Sequence, residues 1–99
     1  MAQARNGSGG TELVHVGFGN FLAINKVLAI VTPNSAPIQR MVREGKKERS
    51  IIDITSGRRT KAAVIMEDGK IALVAITPEA LAGRVVAAKQ GKTAQALAE

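Results

Sequence analysis

The chain has 99 residues, 45% of them hydrophobic, with 14 Lys and Arg against 8 Asp and Glu for a net charge of +6. That is material for one small domain near the lower end of what buries a self-sufficient core, and a core of Ala, Val, Ile and Leu with 2% aromatics often relies on subunit contacts. The lack of cysteine excludes disulfides, thiolate zinc sites and redox centres, and no run forms a signal peptide or approaches the ~20 apolar residues of a membrane span, so a soluble cytoplasmic protein is expected.

Residues 1–10 are Gly-rich and polar and predict a disordered extension, leaving a domain over 11–90 and a flexible tail over 91–99. Leu13 to Val16 reads as a short strand, and Gly17-Phe18-Gly19-Asn20 as a turn whose glycines permit backbone angles closed to other residues. Phe21 to Ile24 and Val27 to Thr32 are extended, with a bend or bulge at Asn25-Lys26 that directs Lys26 outward while Ile24, Leu28 and Ile30 face a core. Lys26 is thereby expected to stand beside later arginines.

Ser35-Ala36-Pro37 opens a helix, with Ser35 as cap and Pro37 in the first turn, where its missing donor costs nothing. The helix runs to about Glu48, with Ile38, Met41 and Val42 as a narrow apolar stripe and Gly45 weakening its second half. Strands over about 50–55, 60–66 and 70–77 follow, joined by a turn at Arg58-Arg59 and by the hairpin signal Asp68-Gly69, and predict an antiparallel meander. Thr77-Pro78-Glu79 opens a second helix with a Leu81, Val85, Ala88 stripe, ended by Gly91. The expected fold is α+β: a small antiparallel sheet, meander plus N-terminal strands, with two helices.

The chemistry concentrates in one segment. Between Pro37 and Lys61 stand eight basic residues (Arg40, Arg43, Lys46, Lys47, Arg49, Arg58, Arg59, Lys61) against Glu44, Glu48 and Asp53, a net +5 of the total +6. Such density raises the local potential and attracts phosphate backbones in a salt-dependent way. A solvated helix face is the competing reading of the run, but the run leads into Ser56-Gly57-Arg58-Arg59-Thr60-Lys61, a turn held at both ends by apolar segments. Guanidinium groups there present planar forks that match phosphate oxygens and stay charged at physiological pH. Asp53, between isoleucines, either faces solvent or accepts hydrogen bonds from the arginine turn and holds it.

Other candidates are weaker. Gly17-Phe18-Gly19 lacks the third glycine of a dinucleotide loop, since Leu22 stands there and no helix pattern follows. His15 is the only histidine and sits on a strand as a packed or edge residue, without partners for a metal site. No acid, base and nucleophile constellation emerges, so the chain reads as a non-enzyme with no cofactor, no metal and no small-molecule substrate.

Gly17-Phe18-Gly19-Asn20, Ala23-Ile24-Asn25-Lys26, Ser35-Ala36-Pro37-Ile38 and Gly57-Arg58-Arg59-Thr60, in that order, resemble the RemA family of bacterial regulators over about Leu13 to Arg84. The resemblance implies a DNA-binding transcriptional regulator that activates extracellular-matrix and biofilm genes, built from protomers closed into a homo-oligomeric ring with duplex DNA on its basic outer surface, and hence a nucleoid-associated location. It also implies that Arg58 and Arg59 are the paired DNA-contacting arginines, that Lys26 stands where the family usually has arginine, and that Pro37 is functionally sensitive. Lys26 keeps the charge without the bidentate fork. Ser56 replaces a frequent aromatic, and Arg49 stands where a glycine usually ends the first helix.

The site expected from these readings is Arg58, Arg59, Lys26 and Lys61 for double-stranded DNA, with Pro37, Gly57, Gly17, Gly19 and Asn20 in structural roles. Phe18 and Phe21 are the only side chains able to stack bases, and both read as structural, which favours duplex DNA over single-stranded RNA. The alternative is a structural or adaptor oligomer whose arginines meet an acidic protein partner.

Overall fold

The computed structural model describes residues 12–89, so the expected extension over 1–10, the Gly91 stop and the tail to Glu99 lie outside the described residues. Strands β1 (Leu13–His15) and β2 (Phe21–Ala23) form an antiparallel hairpin, pairing Leu13 with Ala23, Val14 with Leu22 and His15 with Phe21. A single 3-10 turn, Ile24–Lys26, then leads into β3 (Val27–Val31). Helix α1 (Ala36–Lys47), β4 (Ile51–Asp53), β5 (Ala62–Met66), β6 (Ile71–Val74) and α2 (Pro78–Lys89) complete the order.

The second sheet has the order β3-β5-β6-β4, and here the expected meander is corrected. β5 and β6 are the antiparallel hairpin that Asp68-Gly69 announced, and β3 runs antiparallel to β5, but β4 pairs with β6 in parallel. The reason lies in burial. β6 is buried at all four of its positions and takes an interior place, whereas β4 carries exposed Ile52 and Asp53 and suits an edge. With the tight turn at Asp68-Gly69 committing one side of β6 to β5, only the far side remains for β4. The N-terminal hairpin also forms its own two-stranded sheet instead of joining the larger one.

Two cores flank the four-stranded sheet. On one face Ala62, Val64, Ala72 and Val74 pack with Val14 and Val16 of the hairpin strand and its loop, Ile24, and Leu81 and Ala88 of α2. On the other, Ala63, Ile71 and Leu73 meet Ile38 and Val42 of α1 together with Val31 and Ile51. The period-2 alternation of β5 and β6 thus serves both layers. Two expected core contacts differ, those of Leu28 and Met41. Ile24 is buried and Ile30 packs against the core, but Leu28 is 70% exposed, because the register slips between Val27 and Ala29 and leaves Leu28 as the unpaired residue of a β-bulge. Met41 stands at the solvent edge of the α1 stripe, and Pro37 is exposed, so its contribution within the protomer is its fixed φ in the first helical turn rather than packing.

Both helix starts follow from capping. The Ser35 hydroxyl accepts from Ile38 N at 3.4 Å, and Thr77 Oγ1 accepts from Ala80 N at 3.2 Å with Pro78 as first helical residue. Gly45 does not shorten α1. It is buried, and a Cβ there would lie 2.7 Å from Ile51 Cδ1 and 2.9 Å from Ser50 Oγ, so glycine lets the last turn approach the start of β4. Arg49, just past the Glu48 cap, has φ +59°, the left-handed conformation that glycine usually supplies at a helix end.

Candidate nucleic-acid interface

The sheet topology decides which basic residues meet. β3, β4 and β6 all point the same way and β5 runs against them. Their C-terminal ends therefore share one end of the sheet with the beginning of β5, where Arg58, Arg59, Thr60 and Lys61 lie. Because β4 and β5 are separated by β6, the segment between them is not a hairpin but a crossing over the end of β6.

Hydrogen bonds fix that crossing. Asp53 Oδ1 accepts from Thr55 N at 3.0 Å and from Thr55 Oγ1 at 2.7 Å, and Thr55 O accepts from Arg58 N at 3.0 Å. Thr55 is 4% exposed, the one buried polar side chain among the described residues. The Asp53 carboxyl is held below its ordinary 3.8, first by the Thr55 backbone N–H, then by its hydroxyl and by the charge of Lys46, with burial opposing. Asp53 thus acts on the turn's backbone through Thr55, and the expected hydrogen bond to the guanidinium groups is replaced by this local one. Ser56 and Gly57 follow with φ +56° and +79°, and this pair of left-handed residues reverses the chain and presents the arginines.

Arg58, Arg59 and Lys61 are all exposed. The Arg58 guanidinium lies 3.8 Å from the centroid of the Phe18 ring, and its Nη1 reaches Ser56 O at 3.5 Å. Arg59 and Lys61 line a cleft of about 230 Å³ with Thr32, Asn34, Thr60 and Thr77. Asn34 directly precedes the cap of α1 and Thr77 is the cap of α2, so the positive ends of both helices face the region of the two cations. The cleft is smaller than the ~300–1,000 Å³ of small-molecule pockets, and its two cations beside two helix starts suit an anionic group such as phosphate. A second hollow beside it, on the α1 side, brings Arg43 and Lys46 to Thr60 and Leu73.

Lys26 is elsewhere. It sits at the beginning of β3 against Met66, Glu67 and Lys70, and its carbonyl accepts from Glu67 N at 2.8 Å. The length of β5, about 16 Å at ~3.3 Å per residue, separates it from Arg59 within one protomer. The placement beside the arginines expected from sequence is thereby corrected.

The Gly17-Asn20 turn is the unexpected neighbour. Gly17, Phe18 and Gly19 have φ of +101°, +56° and +78°, and the Asn20 amide donates to Gly17 O at 3.2 Å and to Phe18 O at 3.3 Å. The residues missed from sequence are Phe18, which meets Arg58, and Thr55, which ties down the turn. The signal for Phe18 was available: an aromatic between two glycines has no neighbour in its own loop to pack on. His15, as expected, is an edge residue, with Phe21 at 5.1 Å between ring centroids and Arg84 Nη1 donating to its carbonyl at 3.0 Å.

Among the described residues no helix is long and apolar enough to cross a membrane. The model of a family described as extracellular matrix regulatory protein A-like matches residues 13–85 of the chain. A Dehalococcoides mccartyi protein provisionally named as regulatory is 48% identical over 80 residues, covering 81% of this chain and 83% of its own length. A similarly named Synechococcus elongatus protein is 47% identical over 74 residues, 75% of this chain and 85% of the relative. One from Caldicellulosiruptor saccharolyticus is 43% identical over 79 residues, 80% of this chain and 78% of the relative.

Proposed function

This chain belongs to the RemA-like family, and from that premise we propose that it is a non-enzymatic regulator of transcription that binds duplex DNA through Arg58 and Arg59, with Lys61 beside them and Lys26 as a separate contact. The provisional regulatory names of its relatives support the regulatory part of this reading. The observation that carries DNA binding is the crossing over the end of β6: two adjacent arginines on a turn fixed through Thr55, next to a cationic cleft lined by Arg59 and Lys61. Such contacts position a protein on the backbone without reading bases.

The same proposal includes self-association into a ring and action at the nucleoid in the cytoplasm on extracellular-matrix and biofilm genes, as an activator. Two or three cations per protomer bind weakly, whereas copies displayed on one rigid assembly combine through effective concentration. Leu13, Phe21, Leu28, Ile52 and Val86 are exposed in the protomer, and β3 and β4 are sheet edges, which supports burial of some of this surface between copies. A ring also offers a way to bring Lys26 and the arginine turn of different protomers along one DNA path.

The test is duplex binding by fluorescence anisotropy across a salt series. Wild type should lose affinity with a slope of about −0.9 in log K per log salt for each phosphate neutralised. The double variant Arg58→Ala, Arg59→Ala should lose binding while its mass by light scattering stays that of the wild type. Binding that persists in this variant, or a flat salt response, refutes the reading. Loss of mass together with binding would assign the arginines to a subunit contact instead.

A further inference from the structure

We infer that Phe18 is the positioning residue for Arg58, a plate under the guanidinium face that leaves the donors not turned to Ser56 O available for DNA phosphate; this rests on the DNA-binding reading above. Two independent observations meet here. The guanidinium carbon of Arg58 lies 3.8 Å from the centroid of the Phe18 ring, although the residues belong to turns far apart in the chain. Phe18 also has φ +56°, a left-handed conformation rare for a bulky side chain.

That conformation is not imposed by burial, since Phe18 is 46% exposed. It is maintained by the loop itself. Val16 N donates to Asn20 O at 2.9 Å, Asn20 N to Gly17 O at 3.0 Å, and the Asn20 amide to the carbonyls of Gly17 and Phe18. The loop thus keeps an aromatic ring at the surface, where the energetic return is the cation over its face. From the other side, Arg58 is fixed at its backbone by Thr55 O and reaches Ser56 O with Nη1 at 3.5 Å.

The chemistry explains why a ring serves here better than a carboxylate. A guanidinium carries its five N–H donors in its plane, so stacking occupies the face and leaves the donors beyond the one turned to Ser56 O available for phosphate oxygens. A carboxylate partner would consume those donors and cancel the charge that phosphate seeks. Stacking also restricts a long, flexible side chain before binding, which lowers the ordering cost at the moment of contact.

The experiment is a double-mutant cycle of Phe18→Leu and Arg58→Ala on duplex affinity, with Phe18→Tyr as the conservative control and circular dichroism to verify folding. Leu, Tyr and Phe meet the same backbone constraint at this φ, so the substitutions differ in the ring and not in strain. Phe18→Leu should weaken binding about two- to fivefold for each engaged contact. Phe18→Tyr should retain wild-type affinity, and Phe18→Leu should have no further effect once Arg58 is alanine.

In the free protein, NMR should show the Arg58 side-chain protons shifted upfield by the ring current in wild type and Phe18→Tyr, and unshifted in Phe18→Leu. Equal loss from Phe18→Leu in the presence and absence of the Arg58 side chain, or no loss at all, overturns the inference. So does an unshifted Arg58 in wild type. If wild type ignores duplex DNA altogether, the functional reading fails, a result distinct from binding that depends on Arg58 and not on Phe18.

Discussion

Replacing Thr55 by valine removes one hydroxyl from the base of the arginine turn and leaves the β-branched shape and the main-chain bonds in place. The lost interaction is the 2.7 Å bond from Thr55 Oγ1 to Asp53 Oδ1. A hydrogen bond to a charged group contributes about 1.5–3 kcal/mol, but Asp53 is exposed and water can take the vacated position, so the expected loss is below that range, about 1 kcal/mol at neutral pH.

The loss is pH-dependent, with a definite sign. The Asp53 carboxyl lies below 3.8 in the folded protein, so its bonds contribute stability that is fully present above 3.8 and is lost as pH falls through the folded value. The gap between wild type and Thr55→Val should therefore be full at neutral pH and close as the pH is taken below 3.8. Urea unfolding followed by circular dichroism at matched protomer concentration measures it. The NMR titration of Asp53 should move upward in the variant but stop short of the ordinary value, because the backbone N–H of Thr55, the larger cause, remains. A gap that is absent, or that stays constant across this titration, would refute the assignment of Asp53 and Thr55 as the clamp of the turn.

Arg49→Gly should raise stability by about 0.5–1 kcal/mol in the same unfolding assay, since relief of a left-handed arginine, about 1–2 kcal/mol, outweighs the extra backbone entropy of glycine. Gly45→Ala should lower it by about 1 kcal/mol: the gain in helix propensity, about 1 kcal/mol, is exceeded by overpacking of about 1–3 kcal/mol and by displacement of Ser50 Oγ, which donates to Gly45 O at 3.2 Å. Lys26→Ala should weaken duplex binding independently of Arg59→Ala, the two losses adding in free energy because the sites are a strand length apart; a strong coupling in the double variant would place them in one contact.

Much of the local structure was legible in the chain because local signals carried it. Ser35 and Thr77-Pro78 mark the helix starts, Asp68-Gly69 the hairpin, and the glycines around Phe18 a left-handed turn. The features that local signals do not carry depend on non-local choices. The place of β4 depended on competition for the edge of β6. The exposure of Leu28 depended on a bulge that alternation alone cannot reveal, since one inserted residue reverses which side chains face inward. Asp53 was recognised as a candidate support for the turn, but its partner proved to be Thr55, two residues on, and not an arginine.

The residues themselves determined the charge, its concentration between Pro37 and Lys61, the capped helices and the pairing of Arg58 with Arg59 in a turn, because these depend on composition and on neighbours a few positions away. Only the tertiary structure decided which cations share a surface. Running β3, β4 and β6 in one direction gathers Arg58, Arg59, Lys61 and both helix starts at one end of the sheet and sends Lys26 to the other. Likewise only folding lays the Phe18 ring beneath Arg58, since contact between two distant turns follows from how the layers pack and not from the spacing of either motif.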